Sequence, residues 1–174
     1  KISKKNFYIE TDGEIISRPY VDLTIDVLKK FGVLIVEKSY NKFEVKEDLL
    51  TSPKKFDVEG DASSASYFLA SGVLGGGPVT VHGINRSSFQ GDIYFANVLQ
   101  KMGAKVVWGK NQITINATKE LTALEIDCLN IPDAAMTFAT ISLYAKGVTR
   151  LNNISSWKVK ETDRILAIAN GLKK

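Results

Sequence analysis

The sequence contains one cysteine and one histidine in 174 residues. A lone cysteine, Cys128, excludes an internal disulfide framework and suits a reducing compartment. With His82 as its only imidazole, the chain has no zinc-ligand set of the usual kind and no Cys–His or Ser–His–Asp nucleophile arrangement. Acid–base chemistry, if there is any, falls to Asp, Glu and Lys. No apolar run approaches the ~20 residues of a bilayer span, and no signal-peptide pattern opens the chain. Charge of one sign is also scarce: 23 Lys and Arg against 19 Asp and Glu leave a net +4. That excess is too small and too scattered to indicate nucleic acid. Trp108 and Trp157 lack the interleaved basic and aromatic neighbours of a base-stacking surface. The expectation is a cytoplasmic protein with no metal, membrane or nucleic-acid partner.

What is present is a globular composition, 44% apolar and 24% charged, and a pattern that repeats. Leu28-Lys29-Lys30-Phe31-Gly32 recurs about 70 residues later as Leu99-Gln100-Lys101-Met102-Gly103, and Leu172-Lys173-Lys174 starts a third copy. Alternating hairpins follow the first two copies, Val33–Glu37 with Phe43–Lys46 and Lys105–Trp108 with Ile113–Asn116. Between them sit two small-residue helices. One opens at Gly60-Asp61-Ala62-Ser63-Ser64 and ends at Gly75-Gly76-Gly77; the other opens at Pro132-Asp133-Ala134-Ala135-Met136 and ends near Gly147. Their Ala and Ser content predicts close packing and deep burial. A strand follows each helix (Val79–Ile84, Val148–Ile154), then a polar turn and another helix start, at Gln90-Gly91-Asp92 and Glu161-Thr162-Asp163. The unit is helix, strand, helix, hairpin, which makes the fold class α/β (α+β). Residues 1–59, with strand Phe7–Glu10 and a helix from Arg18 to Phe31, read as the second half of an earlier unit. The linker composition of Leu50–Phe56 puts a boundary near residues 57–60. Starting and stopping in mid-unit, the chain reads as a piece of a longer protein.

Five of the eight residues in Trp157-Lys158-Val159-Lys160-Glu161-Thr162-Asp163-Arg164 are charged, and an apolar helical pattern follows. The free amides of a helix start, with Lys160 and Arg164, make a seat for phosphate or carboxylate. Glu161 would then be a carboxylate poised for proton transfer in a positive field. A capped helix start with exposed ion pairs accounts for the same residues. Asp61 and Asp133 both stand at N-cap positions, and Asp133, flanked by apolar residues, also suits orienting a hydroxyl or taking its proton. Ser17, ahead of Arg18, Pro19 and Tyr20, suits either a cap or a phosphate contact. His82 reads as structural and Cys128 as a buried filler. The triplet Gly75-Gly76-Gly77 lacks the Lys-Ser/Thr of a phosphate loop.

Val58-Glu59-Gly60-Asp61-Ala62-Ser63-Ser64-Ala65-Ser66-Tyr67-Phe68, Gln90-Gly91-Asp92, Pro132-Asp133-Ala134-Ala135-Met136-Thr137, Lys160-Glu161-Thr162-Asp163-Arg164 and Ser17-Arg18-Pro19-Tyr20 occur in collinear order. In these the chain resembles the 5-enolpyruvylshikimate-3-phosphate synthase family. The resemblance implies two domains, each of three β-α-β-α-β-β units, with the active site in the cleft between them. It would place 1–59 in the last unit of one domain and 60–174 in the first two units of the other. It implies transfer of the enolpyruvyl group of phosphoenolpyruvate to the 5-hydroxyl of shikimate 3-phosphate, releasing phosphate, without metal or organic cofactor. By position, Ser17 and Tyr20 would contact shikimate 3-phosphate and Asp133 would hold its hydroxyls. Lys160 would lie by the reacting oxygen, Glu161 would protonate the phosphoenolpyruvate methylene, and Arg164 would bind the phosphoenolpyruvate carboxylate. Ser156 stands where the family commonly has Asn. The family's early Lys-Ser segment, its Gly-Asn-Ala-Gly-Thr-Ala-Met-Arg-Pro signature, its Ser-Ser-Gln segment and its C-terminal Arg and Lys do not occur in this chain. Missing N- and C-terminal segments of the same protein would therefore be needed for a full site, and negligible turnover is expected of this polypeptide alone. Two other readings compete: a non-catalytic anion-binding or folding module of a repeat protein, and a UDP-N-acetylglucosamine enolpyruvyl transferase. The Lys160–Arg164 motif argues against the latter.

Overall fold

The computed structural model describes residues 5–46 and 49–174, which gather into two compact units, 1–58 and 59–174. Residues 1–4 and 47–48 of the expected segment 1–59 lie outside the described residues. The first unit runs β1 (Phe7–Glu10), α1 (Arg18–Lys30), β2 (Ile35–Ser39) and β3 (Lys42–Val45). Its three strands form one antiparallel sheet in the order β1-β3-β2. The two-residue alternation of β3 sends Phe43 and Val45 into a small core with Ile15 and Val33. Glu44 faces the other way, yet is covered by Lys38 at 3.0 Å and Lys46 at 2.5 Å, with the Tyr8 hydroxyl donating at 3.3 Å.

In the second unit, α2 (Ala62–Leu74), β4 (Val79–His82), α3 (Phe95–Lys101), β5 (Lys105–Trp108) and β6 (Gln112–Asn116) come first. The strands form an antiparallel sheet ordered β4-β6-β5. After them come β7 (Leu121–Thr122), β8 (Glu125–Asp127), α4 (Ala134–Ile141), β9 (Ala145–Lys146), β10 (Arg150–Asn152) and α5 (Arg164–Leu172). β8 pairs with β10 and β7 with β9, both parallel, so α4 is a crossover between parallel strands. The core of this unit joins Leu69 and Val73 of α2, Phe95, Val98 and Leu99 of α3, Ile113 and Ile115 of β6, and Phe138 and Ile141 of α4. Small residues bring α2 and α4 close enough for the buried hydroxyls of Ser66 and Thr137 to share a hydrogen bond of 2.8 Å.

The repeated Leu-x-x-x-Gly motif is one physical device used twice. Gly32 (φ +81) and Gly103 (φ +108) take the left-handed conformation after α1 and α3. In each case the next amide returns to the repeated leucine: Val33 N–H to Leu28 O at 2.9 Å, Ala104 N–H to Leu99 O at 3.0 Å. The bond closes the helix end and turns the chain into the hairpin.

Three expectations are corrected. The second small-residue helix does not reach Gly147: it tightens to a 3-10 turn over Ser142–Tyr144, and Ala145–Lys146 leave it to pair with β7. The short strands β7, β8 and β9 fall where no strand was expected. Finally, Lys160 and Glu161 are not in the first turn of a helix. A 3-10 turn covers Ser155–Val159, and α5 begins only at Arg164.

Candidate active site

Local chemistry treats the two N-terminal aspartates differently. Asp61, in extended conformation, caps α2 by accepting from the Ser63 and Ser64 amides at 3.1 and 3.3 Å. Asp133 does not cap α4. Its backbone is already helical (φ −87, ψ −45) and its side chain makes no cap bond, because capping needs an extended residue whose carboxylate folds back over the first amides. The Asp133 carboxylate instead reaches across 31 positions to the Arg164 guanidinium, 2.5 Å from Nη1.

Arg164 is the centre of the cluster. Nε and Nη2 each donate to one oxygen of Glu161 at 2.8 Å, a planar two-bond fork, while Nη1 serves Asp133. The Arg164 side chain is 13% exposed, Asp133 32% and Glu161 63%. The Arg164 hydrogen bond holds the Glu161 carboxyl below its ordinary range, with Lys160 adding a smaller push in the same direction. Glu161, then Asp133, raise the Arg164 guanidinium further still. Because Glu161 is largely in water, the pair itself contributes little stability.

The loop is fixed to α4 by Trp157. Its ring is buried, and its indole Nε1 donates to the Pro132 carbonyl at 2.7 Å, tying the turn before Lys160 to the residue before Asp133. At the far end Asp163 caps α5 by accepting from Leu166 N–H at 3.0 Å. Ile165 and Ile168 pack α5 onto the core. Asp133, Glu161 and Arg164 thus converge, and the exposed Lys160 adjoins them in the chain. Ser156 does not join: its hydroxyl is buried without a hydrogen-bond partner among the described residues.

In the first unit, Ser17 stands at the N-cap position of α1 in left-handed conformation (φ 60, ψ 44) and makes no side-chain cap bond, contrary to the capping expectation. Its carbonyl, not its hydroxyl, takes the Tyr20 amide, at 2.9 Å. A non-glycine residue held at positive φ carries strain of order 1 kcal/mol. Arg18 is fully engaged within the unit. It donates to Asp22 (2.9 Å), Glu37 (2.7 Å) and the Tyr40 carbonyl (2.8 Å), and lies over the Tyr40 and Phe43 rings. Cys128 is fully buried, and burial pushes its thiol up to about 12, so it is no nucleophile. His82 lies exposed on β4. Among the described residues no group of His, Cys, Asp and Glu could hold a metal ion, and no helix is long and apolar enough to cross a membrane.

One residue of this region goes beyond the sequence reading. Asp92, only 1% exposed, accepts from the Ala134 amide at the start of α4 (3.3 Å) and from the Ser63 hydroxyl of α2. Its signal was a second Asp in the polar turn of the first repeat, at the place of Asp163 in the second.

The family model described as EPSP synthase (3-phosphoshikimate 1-carboxyvinyltransferase) matches residues 2–174. A 3-phosphoshikimate 1-carboxyvinyltransferase of Citrobacter koseri is 52% identical over 167 residues, which is 95% of this chain and 39% of that protein. Its counterpart in Colwellia psychrerythraea is 51% identical over 170 residues, 97% of this chain and 40% of the relative. Among solved structures, EPSP synthase from Acinetobacter baumannii has a similar fold (TM-score 0.76, 22% identity, 98% of this chain and 40% of that one). So does the enolpyruvyl transferase NikO from Streptomyces tendae (TM-score 0.63, 16% identity, 86% of this chain and 36% of that one). The chain therefore spans about 40% of the length of the curated relatives it matches. Over its own length, with the matching fold and the motifs around Asp133 and Arg164 in place, the chain belongs to the EPSP synthase family.

Proposed function

We propose that this chain carries the acid–base part of the active site of a cytoplasmic 3-phosphoshikimate 1-carboxyvinyltransferase. The reaction moves the enolpyruvyl group of phosphoenolpyruvate to the 5-hydroxyl of shikimate 3-phosphate. The hydroxyl gives up its proton, to Asp133 in this reading, as its oxygen bonds to the central carbon of phosphoenolpyruvate and the methylene takes a proton to become a methyl. Loss of a proton from that methyl then expels phosphate and restores the double bond. The route needs no metal or organic cofactor. In this reading residues 1–59 belong to the last unit of one domain and 60–174 to the first two units of the other. Ser17 and Tyr20 contact shikimate 3-phosphate, Asp133 accepts from its hydroxyls, and Lys160 stands beside the reacting oxygen. Ser156 would have to rotate out of its buried setting to donate.

The observation that carries the reading is the three-way junction of Arg164 with Glu161 and Asp133. A guanidinium fork already fitted to one carboxylate is fitted to another of the same shape. When the carboxylate of phosphoenolpyruvate takes the fork, Glu161 is released, its proton affinity rises, and it becomes able to protonate the methylene. Shape and charge match at each step, with the acid uncovered only when its substrate is present.

The same junction supports a second reading. Every edge of Arg164 is satisfied by the chain's own carboxylates, as in a purely structural ion pair. A titration of the chain with shikimate 3-phosphate separates the two. Saturable binding that is lost in Asp133→Ala supports the enzymatic reading. Absent binding, or binding indifferent to Asp133→Ala, supports the structural one.

A further inference from the structure

We infer that Asp92 is a positioning residue: by holding the first amide of α4 from the neighbouring repeat it pins the backbone that presents the Asp133 carboxylate to Arg164. The inference rests on the proposed function for its catalytic meaning, but its geometry stands without it. Four aspartates occupy matching places in the two repeats, Asp61 with Asp133 at the first helix and Asp92 with Asp163 at the second. Asp61 and Asp163 each cap the helix they precede. The other two break that rule together. Asp92 lies within a 3-10 turn over Gly91–Tyr94, whose N-cap position, Gln90, makes no side-chain cap bond to that turn. Rather than serve its own helix, Asp92 reaches the Ala134 amide, 42 positions on, while the Ser63 hydroxyl of α2 holds its other oxygen.

The consequence follows from helix-end chemistry. The first amides of a helix need acceptors, and an aspartate at the N-cap is the ordinary provider. If Asp133 filled that role its carboxylate would fold over α4 and could not lie 2.5 Å from Arg164. The amides an N-cap side chain would take are held by backbone carbonyls, Ala135 by Ile131 at 2.9 Å and Met136 by Asp133 at 3.2 Å, while the Ala134 amide goes to Asp92, buried to 1% exposure between the two helix starts, which ties the start of α4 to α2. Its burial is satisfied by charge-assisted bonds, which are strong and directional where water is excluded. Asp92 touches no proposed substrate atom. It acts through Asp133.

The test uses the chain labelled with carbon-13 at the aspartate carboxyl carbons, with the Asp133 signal assigned by its loss in Asp133→Asn. In the native chain that signal moves when Arg164→Gln removes its partner. Asp92→Ala should weaken the response strongly, because the freed start of α4 no longer holds Asp133 against Arg164, whereas Asp92→Asn, which keeps an acceptor, should preserve it. Ser63→Ala, which removes one donor from the Asp92 carboxylate and loosens its hold on the Ala134 amide, should weaken the response and serves if Asp92→Ala does not fold. Ser66→Ala removes another buried hydrogen bond between α2 and α4 and should leave the response intact. A response unchanged in both Asp92→Ala and Ser63→Ala overturns the inference, as does its loss in Ser66→Ala, which would mean general loosening. The functional arm is affinity for shikimate 3-phosphate, expected to fall roughly tenfold or more in Asp92→Ala and to recover in Asp92→Asn. If the native chain does not bind shikimate 3-phosphate, the proposed function fails while the carboxyl signals still decide the role of Asp92.

Discussion

Glu44 and Glu161 are both carboxylates held below their ordinary range by cations, yet they matter differently. Glu44 lies at 4% exposure among Lys46, Lys38 and Tyr8, and the hydrogen bonds from Lys46 and then Lys38 bring its carboxyl down to about 2 from 4.5. A folded value below the unfolded one stabilises the fold above pH 4.5, and that contribution disappears as pH falls toward 2. Glu44→Gln should therefore flatten the acid side of the stability curve of the first unit, as followed by denaturant unfolding at stepped pH. A curve as steep as that of the native chain would refute this. Glu161, by contrast, is exposed and expendable for stability, so its pairing with Arg164 has meaning chiefly for binding. That Glu161 and Arg164 belong to one charged cluster was legible in the sequence, because they stand three positions apart. The Asp133–Arg164 bond was not, because nothing in a sequence spacing reports a contact across 31 positions. Asp133 itself is a candidate from the sequence, but its default reading as a cap fails because the backbone is already helical there and the Ala135 and Met136 amides go to the carbonyls of Ile131 and Asp133.

Among the elements, α2 shows how closely helix and strand approach. A Cβ at Gly72 would stand 2.9 Å from the Val79 Cβ and 3.3 Å from its Cγ2, a distance real side chains do not accept. Gly72→Ala should cost about 1–3 kcal/mol by overpacking, despite the better helix propensity of alanine, and lower the thermal midpoint by several degrees. An unchanged or higher midpoint would show that β4 yields freely. Legibility at this scale followed length and repetition. β1, β5, the end of α2 and both helix-to-hairpin turns were readable, because alternation, Gly at the helix end and a repeated leucine each leave a local mark. The strands β7 and β9 left none: two residues are too few for a period, and their pairing depends on β8 and β10 being brought together by α4. The helix α4 was read too long because Ala and Ser favour helix up to Tyr144, whereas the ladder with β7 claims Ala145 and Lys146.

For the chain as a whole, the decisive quantity is charge at the cluster. Lys160 and Arg164 bring two positive charges, and Asp133 and Glu161 two negative ones, so the four sum to zero. Two phosphorylated substrates present more negative charge than such a cluster can match. Assayed alone, the 174-residue chain should therefore show negligible turnover of phosphoenolpyruvate and shikimate 3-phosphate, by phosphate release. Rates like those of a relative spanning the whole family length would contradict this. Binding is a separate matter, since the Arg164 fork can take the incoming carboxylate in the place of Glu161. The most direct test is calorimetric titration of the chain with phosphoenolpyruvate in the presence of shikimate 3-phosphate, in buffers of differing ionisation enthalpy. The account predicts saturable binding, lost in Arg164→Gln, with proton uptake that grows as pH is lowered toward 4.5, the ordinary value of the released Glu161. Binding without proton uptake, or binding that survives Arg164→Gln, would contradict it.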